Sequence, residues 1–402
     1  MTADWIQTVT CASKAVKGSG MRAYLLSLLL LAGLCTLPMA AQPSPNLQNH
    51  VVLDINSTPE NPRNSEGAFL NLKSGRILFL YSQFRGGAAD ESPSRIVSVY
   101  SDDAGLTWNQ KPELVVDTGT NQNVMSVSLL RLKSGKIALF YLIKQNLHDC
   151  HPWIQLSSDE AKTWSSPKLV VDAPGYFVLN NDRVIQLNNG RLIVPVAFHR
   201  SRNSKLNDYS TFDPRAIALW YLSDDEGQIW HEAETWWAMP LASKTGLQEP
   251  GVVERADGTV LSWARTDAGA QYGFASANSG ATWSAPIATE LKSPVSPASI
   301  KRLPGSAELL AVFNDHSGQF PFPKGKRTPL VAAISPDGGR TWKKRKILEN
   351  DPAGSYCYTA IHFTENAVLF AYLDFRTLAG GKSTNQLRIR RTTFDWLRQA
   401  DK

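Results

Sequence analysis

Apolar residues along this chain gather in short, dense runs. Ile77-Leu-Phe-Leu-Tyr81 and Ile137-Ala-Leu-Phe-Tyr141 are too continuously apolar for a sheet with one wet face. They read as strands packed between neighbouring sheets. Six segments share the pattern of a turn-like stretch followed by such a strand: Leu72 to Ser82, Leu132 to Leu142, Leu187 to Ala197, Arg255 to Arg265, Leu303 to Phe313 and Thr364 to Asp374. Six hairpins predict six blades. The C-terminal run Leu387-Arg-Ile-Arg-Arg-Thr-Thr-Phe394 alternates with period two and is expected to pair with Val51 to Ile55, closing the last blade.

An octapeptide punctuates these runs. Ser101-Asp-Asp-Ala-Gly-Leu-Thr-Trp108 returns as Ser157 to Trp164, Ser223 to Trp230, Ser276 to Trp283 and Ser335 to Trp342, the copies starting 53 to 66 residues apart. Read as Ser-x-Asp-x-Gly-x-Thr-Trp, it drifts at Ala161, Ile229 and Asn278. The pattern suits a tight turn in which Asp or Asn caps backbone N–H groups, Gly takes a left-handed conformation and Trp plugs the gap beneath. The spacing leaves room for about four short strands per repeat, as in a propeller blade. The expected fold is therefore all-β, a six-bladed β-propeller with Asp-box turns, and the boxes are scaffold rather than chemistry.

The hairpins also locate a site. Counting six residues back from Leu72 and its equivalents gives Glu66, Ser126, Asn181, Glu249, about Ser296, and Cys357 or Tyr358 as starts of the inner strands. Inner strands run the same way in every blade, so these starts share one channel mouth, where a small molecule can bind. Glu66 and Glu249 belong to blades one and four, opposite each other across a six-fold ring.

Charge and cysteines narrow the partners. The formal charge of +6 falls to +4 without the first 41 residues, and the basic residues are scattered, so nucleic acid is not implied. Met21-Arg22, the apolar stretch Leu25 to Leu34 and Pro38-Met-Ala-Ala41 have the three regions of a secretory signal. The expectation is a leader over residues 1–41 with the true start at Met21, then one propeller domain over 42–402, secreted or periplasmic, monomeric and without a stable membrane span. Beyond the leader only Cys150 and Cys357 remain, in the second and sixth blades, and both are expected as free thiols. No His/Cys spacing suits zinc, so neither metal nor cofactor is implied.

The stretch Glu249-Pro-Gly-Val-Val-Glu-Arg-Ala-Asp-Gly-Thr-Val-Leu-Ser-Trp-Ala-Arg265 resembles one found in the exo-sialidases and their relatives with Asp-box repeats. The resemblance spans nearly the whole chain beyond the leader, and implies a six-bladed propeller that hydrolyses a terminal sialic acid or related acidic sugar of a glycan. By that match Glu249 is the base partner of a nucleophile, while Arg265 and Arg327 resemble two of the three arginines that grip the sugar carboxylate. Planar forked donors suit a carboxylate. Tyr358-Thr-Ala-Ile361 resembles the family's Tyr-Ser-x-Leu segment, which makes Tyr358, rather than Tyr356, the nucleophile. A phenol avoids setting a carboxylate nucleophile against the sugar's own carboxylate, and Glu249 can take its proton; sialidases are the known tyrosine exception among glycosidases. Asp90, in the loop Arg85-Gly-Gly-Ala-Ala-Asp90-Glu91 and 13 residues before Asp103, matches the family's acid/base, with Glu91 as the alternative.

One departure re-aims the site. Where sialidases carry an Arg-Ile-Pro motif whose arginine heads the triad, this chain has Ser65-Glu66-Gly67. Arg63 could reach in from two residues upstream of Ser65, yet Glu66 would repel a carboxylate at 4 Å by about 1 to 4 kcal/mol. A related acidic sugar, or a neutral sugar whose hydroxyls bond Glu66, suits that substitution. Arg85, Trp153 beside His151, Asn181, Asp182 and His199-Arg200 complete the expected substrate-binding rim, together with Glu66. The alternatives are a non-catalytic glycan-binding propeller, or a glycosidase for a different sugar using Glu66 and Glu249.

Overall fold

Strands alternate with tight turns from Asn49 to Thr393, and the one α-helix among the described residues is the single turn Phe394–Arg398. The computed structural model describes residues 47–206, 208–377 and 383–399. The leader expected over 1–41 lies outside them. The sheets form a β-propeller arrangement. Three are simple four-stranded meanders, the first running through Asn64–Asn71, Ile77–Phe84, Ser94–Ser101 and Glu113–Val116. The others begin at Gln248 and Ser299. In a fourth sheet Asn49–Ile55 pairs antiparallel with Ser383–Thr393, so the first strand completes the last sheet. The fifth has nine strands between Asn123 and Glu232, because Gly175–Val178 pairs in parallel with Asp149–Ser157 and antiparallel with Leu192–His199.

Burial follows the apolar runs. All eight residues of Ile77–Phe84 and all six of Leu309–Asn314 and of Leu330–Ser335 are buried. Each hydrophobic cluster is shared between consecutive hairpins: Leu80 packs with Leu139, Leu142 with Val194, Ile193 with Phe274, Trp263 with Phe313, and Val312 with Phe370. A sixth cluster joins Phe79 to Leu369 and Ile389, so last sheet meets first. Such two-sided burial is why these strands do not alternate. No helix among the described residues is long and apolar enough to cross a membrane.

The five octapeptides adopt one turn, always at the strand end remote from Glu66. In each, the serine hydroxyl donates to the Asp or Asn side chain two residues on and accepts the backbone N–H four residues on, as from Ser101 to Asp103 and Gly105. Two consecutive residues are left-handed, such as Ala104 (φ 56°) and Gly105 (φ 83°). Glycine at the second position answers to a further constraint. A Cβ on Gly105 would lie 2.7 Å from Leu369, and one on Gly339 2.8 Å from Leu261, both in the preceding sheet. The turn is thus a place where neighbouring sheets approach closely, and Trp108, Trp283 and Trp342 are buried beneath it while Trp164 and Trp230 are half-buried.

At the opposite strand ends the inner strands are interrupted. Register shifts occur between Ser65 and Ala68, Met125 and Ser128, Gln248 and Gly251, and Cys357 and Ala360. Within them Glu66 (φ 57°), Ser126 (64°), Glu249 (47°) and Tyr358 (58°) are left-handed, as is Asp182 (57°). For residues with a side chain this conformation costs about 1 to 2 kcal/mol each, and a bulge re-aims the side chain it carries. Two expected strand starts are corrected here. Asn181 and Asp182 lie in the turn between Gly175–Val178 and Ile185–Gln186, with Asp182 the left-handed one, and Ser296 precedes the strand Ser299–Arg302, its hydroxyl tied to Asn314 at 2.5 Å.

Candidate active site

These bulges open onto a cavity of about 230 Å³ whose wall includes Glu66, Asp90, Glu91, Glu249, Arg265 and Tyr358. Glu66 is buried and accepts the Arg63 guanidinium on one oxygen and the Ser126 hydroxyl, at 2.6 Å, on the other. Burial raises its carboxyl above the ordinary range, although the Arg63 charge works against that. Arg63 also donates to Asp90 Oδ1 at 2.5 Å and to Ser65 Oγ at 3.0 Å, and lies 4.3 Å from the Phe84 ring centroid. Burial would lift the Asp90 carboxyl too, but the Arg63 charge and hydrogen bond outweigh it and hold Asp90 below its usual value. One guanidinium thus sets two neighbouring carboxyls apart. The rim position of Asp90 leaves it exposed, whereas Glu66 is sealed beneath it.

Across the mouth, Arg265 donates to Gln248 Oε1 at 3.0 Å and places its other nitrogen 3.0 Å from Glu249 Oε2. That second contact is an ion pair without hydrogen-bond alignment, so both atoms are buried with no aligned partner. Arg327 donates to Cys357 Sγ at 3.0 Å and stands 5.6 Å from the Tyr358 ring centroid. The Tyr358 phenol is raised above its usual range by burial and then by the charge of Glu249, against the pull of Arg265 and Arg327. Arg63 is close enough to feel Tyr358 as well. The Tyr358 phenol and the Glu249 carboxylate thus stand at this mouth with Arg265 on the wall and Arg63 and Arg327 behind it. Asn181 holds the frame: its amide donates to Gly67 O at 2.9 Å and Tyr358 O at 3.1 Å, linking the bulges of the first and last sheets.

Several expected rim residues stand elsewhere. Arg85 is spent on Asp117 and Thr118, at 3.1 and 3.2 Å, away from the cavity wall. Trp153 packs into the cluster between the first two hairpins, beside Trp164. Asp182 is bound to Lys301 at 2.7 Å and to the Ile361 N–H at 2.9 Å, and it is Asn180, not Asn181, that reaches the cavity. Each was placed on the rim by residue type, and each is claimed by structural bonding or, for Trp153, by packing. His151 pairs with Asp149 and does not line the cavity; Tyr356 is fully buried beside Tyr372. His199 does line it. Its Nδ1 lies 3.1 Å from the Asp213 carbonyl, which can only accept, so Nδ1 carries the proton and Nε2 faces onward as an acceptor. Burial lowers its pKa to about 4, so the imidazole is neutral at neutral pH.

Lys144, Tyr176, Tyr209 and Phe212 also line the cavity. The signal for Lys144 was available in the register: Ile137 and Leu192 are equivalent strand starts, and seven residues on stand Lys144 and His199. Cys150 and Cys357 are both free and buried. Among the described residues no group of His, Cys, Asp and Glu is arranged to hold a metal ion.

Residues 75–371 match the family described as BNR repeat-like domain. No curated protein matches the chain in sequence. Similar solved structures include a protein of unknown function from Dyadobacter fermentans, 19% identical over 86% of this chain and 99% of that one, with a TM-score of 0.66. The NanB sialidase from Streptococcus pneumoniae is 14% identical over 87% of this chain and 71% of its own, at a TM-score of 0.67. The intramolecular trans-sialidase from Ruminococcus gnavus is 16% identical over 89% and 99%, at 0.66. At these identities the likeness is one of fold.

Proposed function

The chain belongs to the BNR repeat-like domain family, and from that premise we propose that it is a secreted, six-bladed exo-glycoside hydrolase that removes a terminal acidic sugar, sialic acid or a relative, from a glycan. The nine-stranded sheet is read as two blades bridged by Gly175–Val178, and the five octapeptides as Asp-boxes. The observation that carries the catalytic reading is the gathering of Arg265 and Arg327 about Tyr358 and Glu249, with Arg63 close enough to feel Tyr358. Arg63 supplies from an offset position the guanidinium missing at Ser65-Glu66-Gly67.

In this reading the sugar carboxylate sits among the three arginines. Tyr358 Oη attacks the anomeric carbon as Glu249 takes the phenolic proton, and the leaving oxygen departs with a proton from Asp90; water then releases the sugar with retention. A carboxylate arriving at Arg63 competes with Asp90 for it. Asp90, held low and ionised while paired, moves up when released and takes up from solvent the proton that it then gives to the leaving oxygen. The test is hydrolysis of a panel of aryl glycosides, an aryl sialoside among them, by the protein from Gln42 onward and by Tyr358→Phe and Glu66→Ala. Sialoside cleavage abolished in Tyr358→Phe is expected. Full activity in Tyr358→Phe would sink the mechanism.

One observation favours a second reading. Glu66 lines the cavity, is buried, and has its carboxyl pushed up by that burial, the direction a proton donor needs. Glu66 would then act as acid opposite Glu249 on a neutral or differently charged sugar. Cleavage of a non-sialic glycoside that depends on Glu66 but not on Tyr358 would select it.

A further inference from the structure

Lys144 is 2% exposed, ends in the cavity wall, and among the described residues has no carboxylate within ion-pair distance. One ammonium N–H reaches the Tyr209 oxygen at 3.3 Å, and Nζ stands 5.4 and 5.6 Å from the ring centroids of Tyr176 and Tyr209. Two of its three N–H groups remain unused, and Tyr209 keeps its own O–H to donate. The nearby Cys150 thiol offers no compensating charge, because burial pushes its pKa up to about 12. Asp90 feels Lys144 but is already bonded to Arg63. A buried ammonium bonded only to a phenol oxygen, with the Asp90 and Glu91 carboxylates of the same wall outside ion-pair reach, is costly in the empty protein. An incoming anion removes that cost.

We infer that Lys144, Tyr176 and Tyr209 form a second anionic subsite of this cavity, which takes a sulfate ester on the glycan. It rests on the reading of the cavity as a glycan site and adds a substrate class to it. The first anionic pole is made of forked guanidiniums that match a planar carboxylate. This corner has a point charge with free rotatable donors and a hydroxyl, which accommodates a tetrahedral oxyanion equally well. The segment beyond His199 continues the same sign: Arg200, Arg202 and Arg215 all lie within 3.6 Å of the single buried carboxylate of Asp213. A sulfated chain leaving the cavity on that side meets cations.

The test is equilibrium binding of galactose 6-sulfate, galacturonate, galactose and inorganic sulfate to the intact protein and to Lys144→Met and Lys144→Arg, with the melting temperature of each. The expected result is that galactose 6-sulfate binds at least tenfold tighter than galactose, that Lys144→Met erases the difference while Lys144→Arg keeps most of it, and that Lys144→Met melts no lower than the parent. Galacturonate gaining as much through Lys144 would keep the subsite and make its anion a carboxylate. Equal binding of galactose and its sulfate, or a sulfate preference that survives Lys144→Met, would overturn the proposal while leaving the glycosidase reading to its own aryl-glycoside panel. Lys144-dependent binding of inorganic sulfate with no sugar bound would do the reverse, keeping the anion site and overturning the glycan.

Discussion

The two ends of the strands obey different rules. At one end five turns repeat a single set of hydrogen bonds, made within eight residues and tolerant of Asp or Asn, Gly or Ala. At the other, bulges present Glu66, Ser126, Glu249 and Tyr358 in the same strained conformation but with three different chemistries, carboxylate, hydroxyl and phenol. Repetition at the turn end serves packing between sheets, where each octapeptide solves the same local problem. Divergence at the bulge end means that the backbone device is shared while the side chains are free to specialise. Strain is tolerated at both ends for different returns: closeness of neighbouring sheets at one, aim into a cavity at the other.

Substitutions that separate activity from stability test this division most severely. Glu249→Gln is expected to lower kcat by about 10² to 10⁴, the range for loss of a positioned base, with an unchanged melting temperature, since among the described residues its side chain is paired only with the poorly aligned Arg265. Steady-state kinetics on whichever aryl glycoside the protein cleaves, with thermal unfolding alongside, decide it. A kcat within threefold of the parent would remove Glu249 from the chemistry. At the turn end the expectation inverts. Gly339→Ala combines a left-handed alanine with a Cβ 2.8 Å from Leu261 and should cost about 2 to 4 kcal/mol in denaturant unfolding, with kcat of the surviving folded protein intact.

The turn end was legible in the sequence and the bulge end only in outline, for a physical reason. Ser101, Asp103, Gly105 and Thr107 bond to one another across two to four residues, so their spacing is written in the chain. Period-two alternation in Leu387 to Phe394 likewise announced its pairing with the first strand. The mouth is assembled from contacts such as Ser126 to Glu66 and Asn181 to Tyr358, 60 and 177 residues apart. Counting back from the hairpins found Glu66, Ser126 and Glu249. It missed by one residue at Asn181, where Asp182 is the left-handed one, and it could not foresee that Arg63 would reach both Glu66 and Asp90. Rim residues chosen by type alone, Arg85, Trp153 and Asp182, were already engaged by partners that no spacing reveals.

Asn181 lies where the two rules meet. Its amide joins the backbones of Gly67 and Tyr358 and makes no cavity contact, so it is a positioning residue. Asn181→Ala leaves two buried carbonyls unpaired and should cost about 1 to 3 kcal/mol of stability. Turnover should fall roughly tenfold with little change in KM, since small displacements of a nucleophile weigh on the transition state. A stability loss with unchanged kcat would make the bulge self-supporting and the two ends fully independent.

The smallest effect sharpens the turn end itself. Asp337 accepts the Thr341 N–H at 2.9 Å and the Thr341 hydroxyl at 2.7 Å. Desolvation opposes its ionisation, but the turn's hydrogen bonds prevail and bring its pKa to about 2, below the ordinary 3.8. A carboxyl that ionises more readily when folded stabilises the protein fully above about pH 4 and ceases to do so as pH falls through about 2. Water screens this group, so its contribution is about 1 kcal/mol or less. Asn278 is the natural control: it accepts the Thr282 N–H at 3.0 Å and donates to the Thr282 hydroxyl at 2.9 Å, building the same turn without a titrating group. Asp337→Asn is therefore expected to change stability at pH 7 by less than about 1 kcal/mol and to flatten the fall in stability between pH 4 and 2. Denaturant unfolding at stepped pH measures both. An acid limb as steep as the parent's would mean that the turn's hydrogen bonds hold whether or not the carboxyl is charged, and that the acid sensitivity belongs to the mouth.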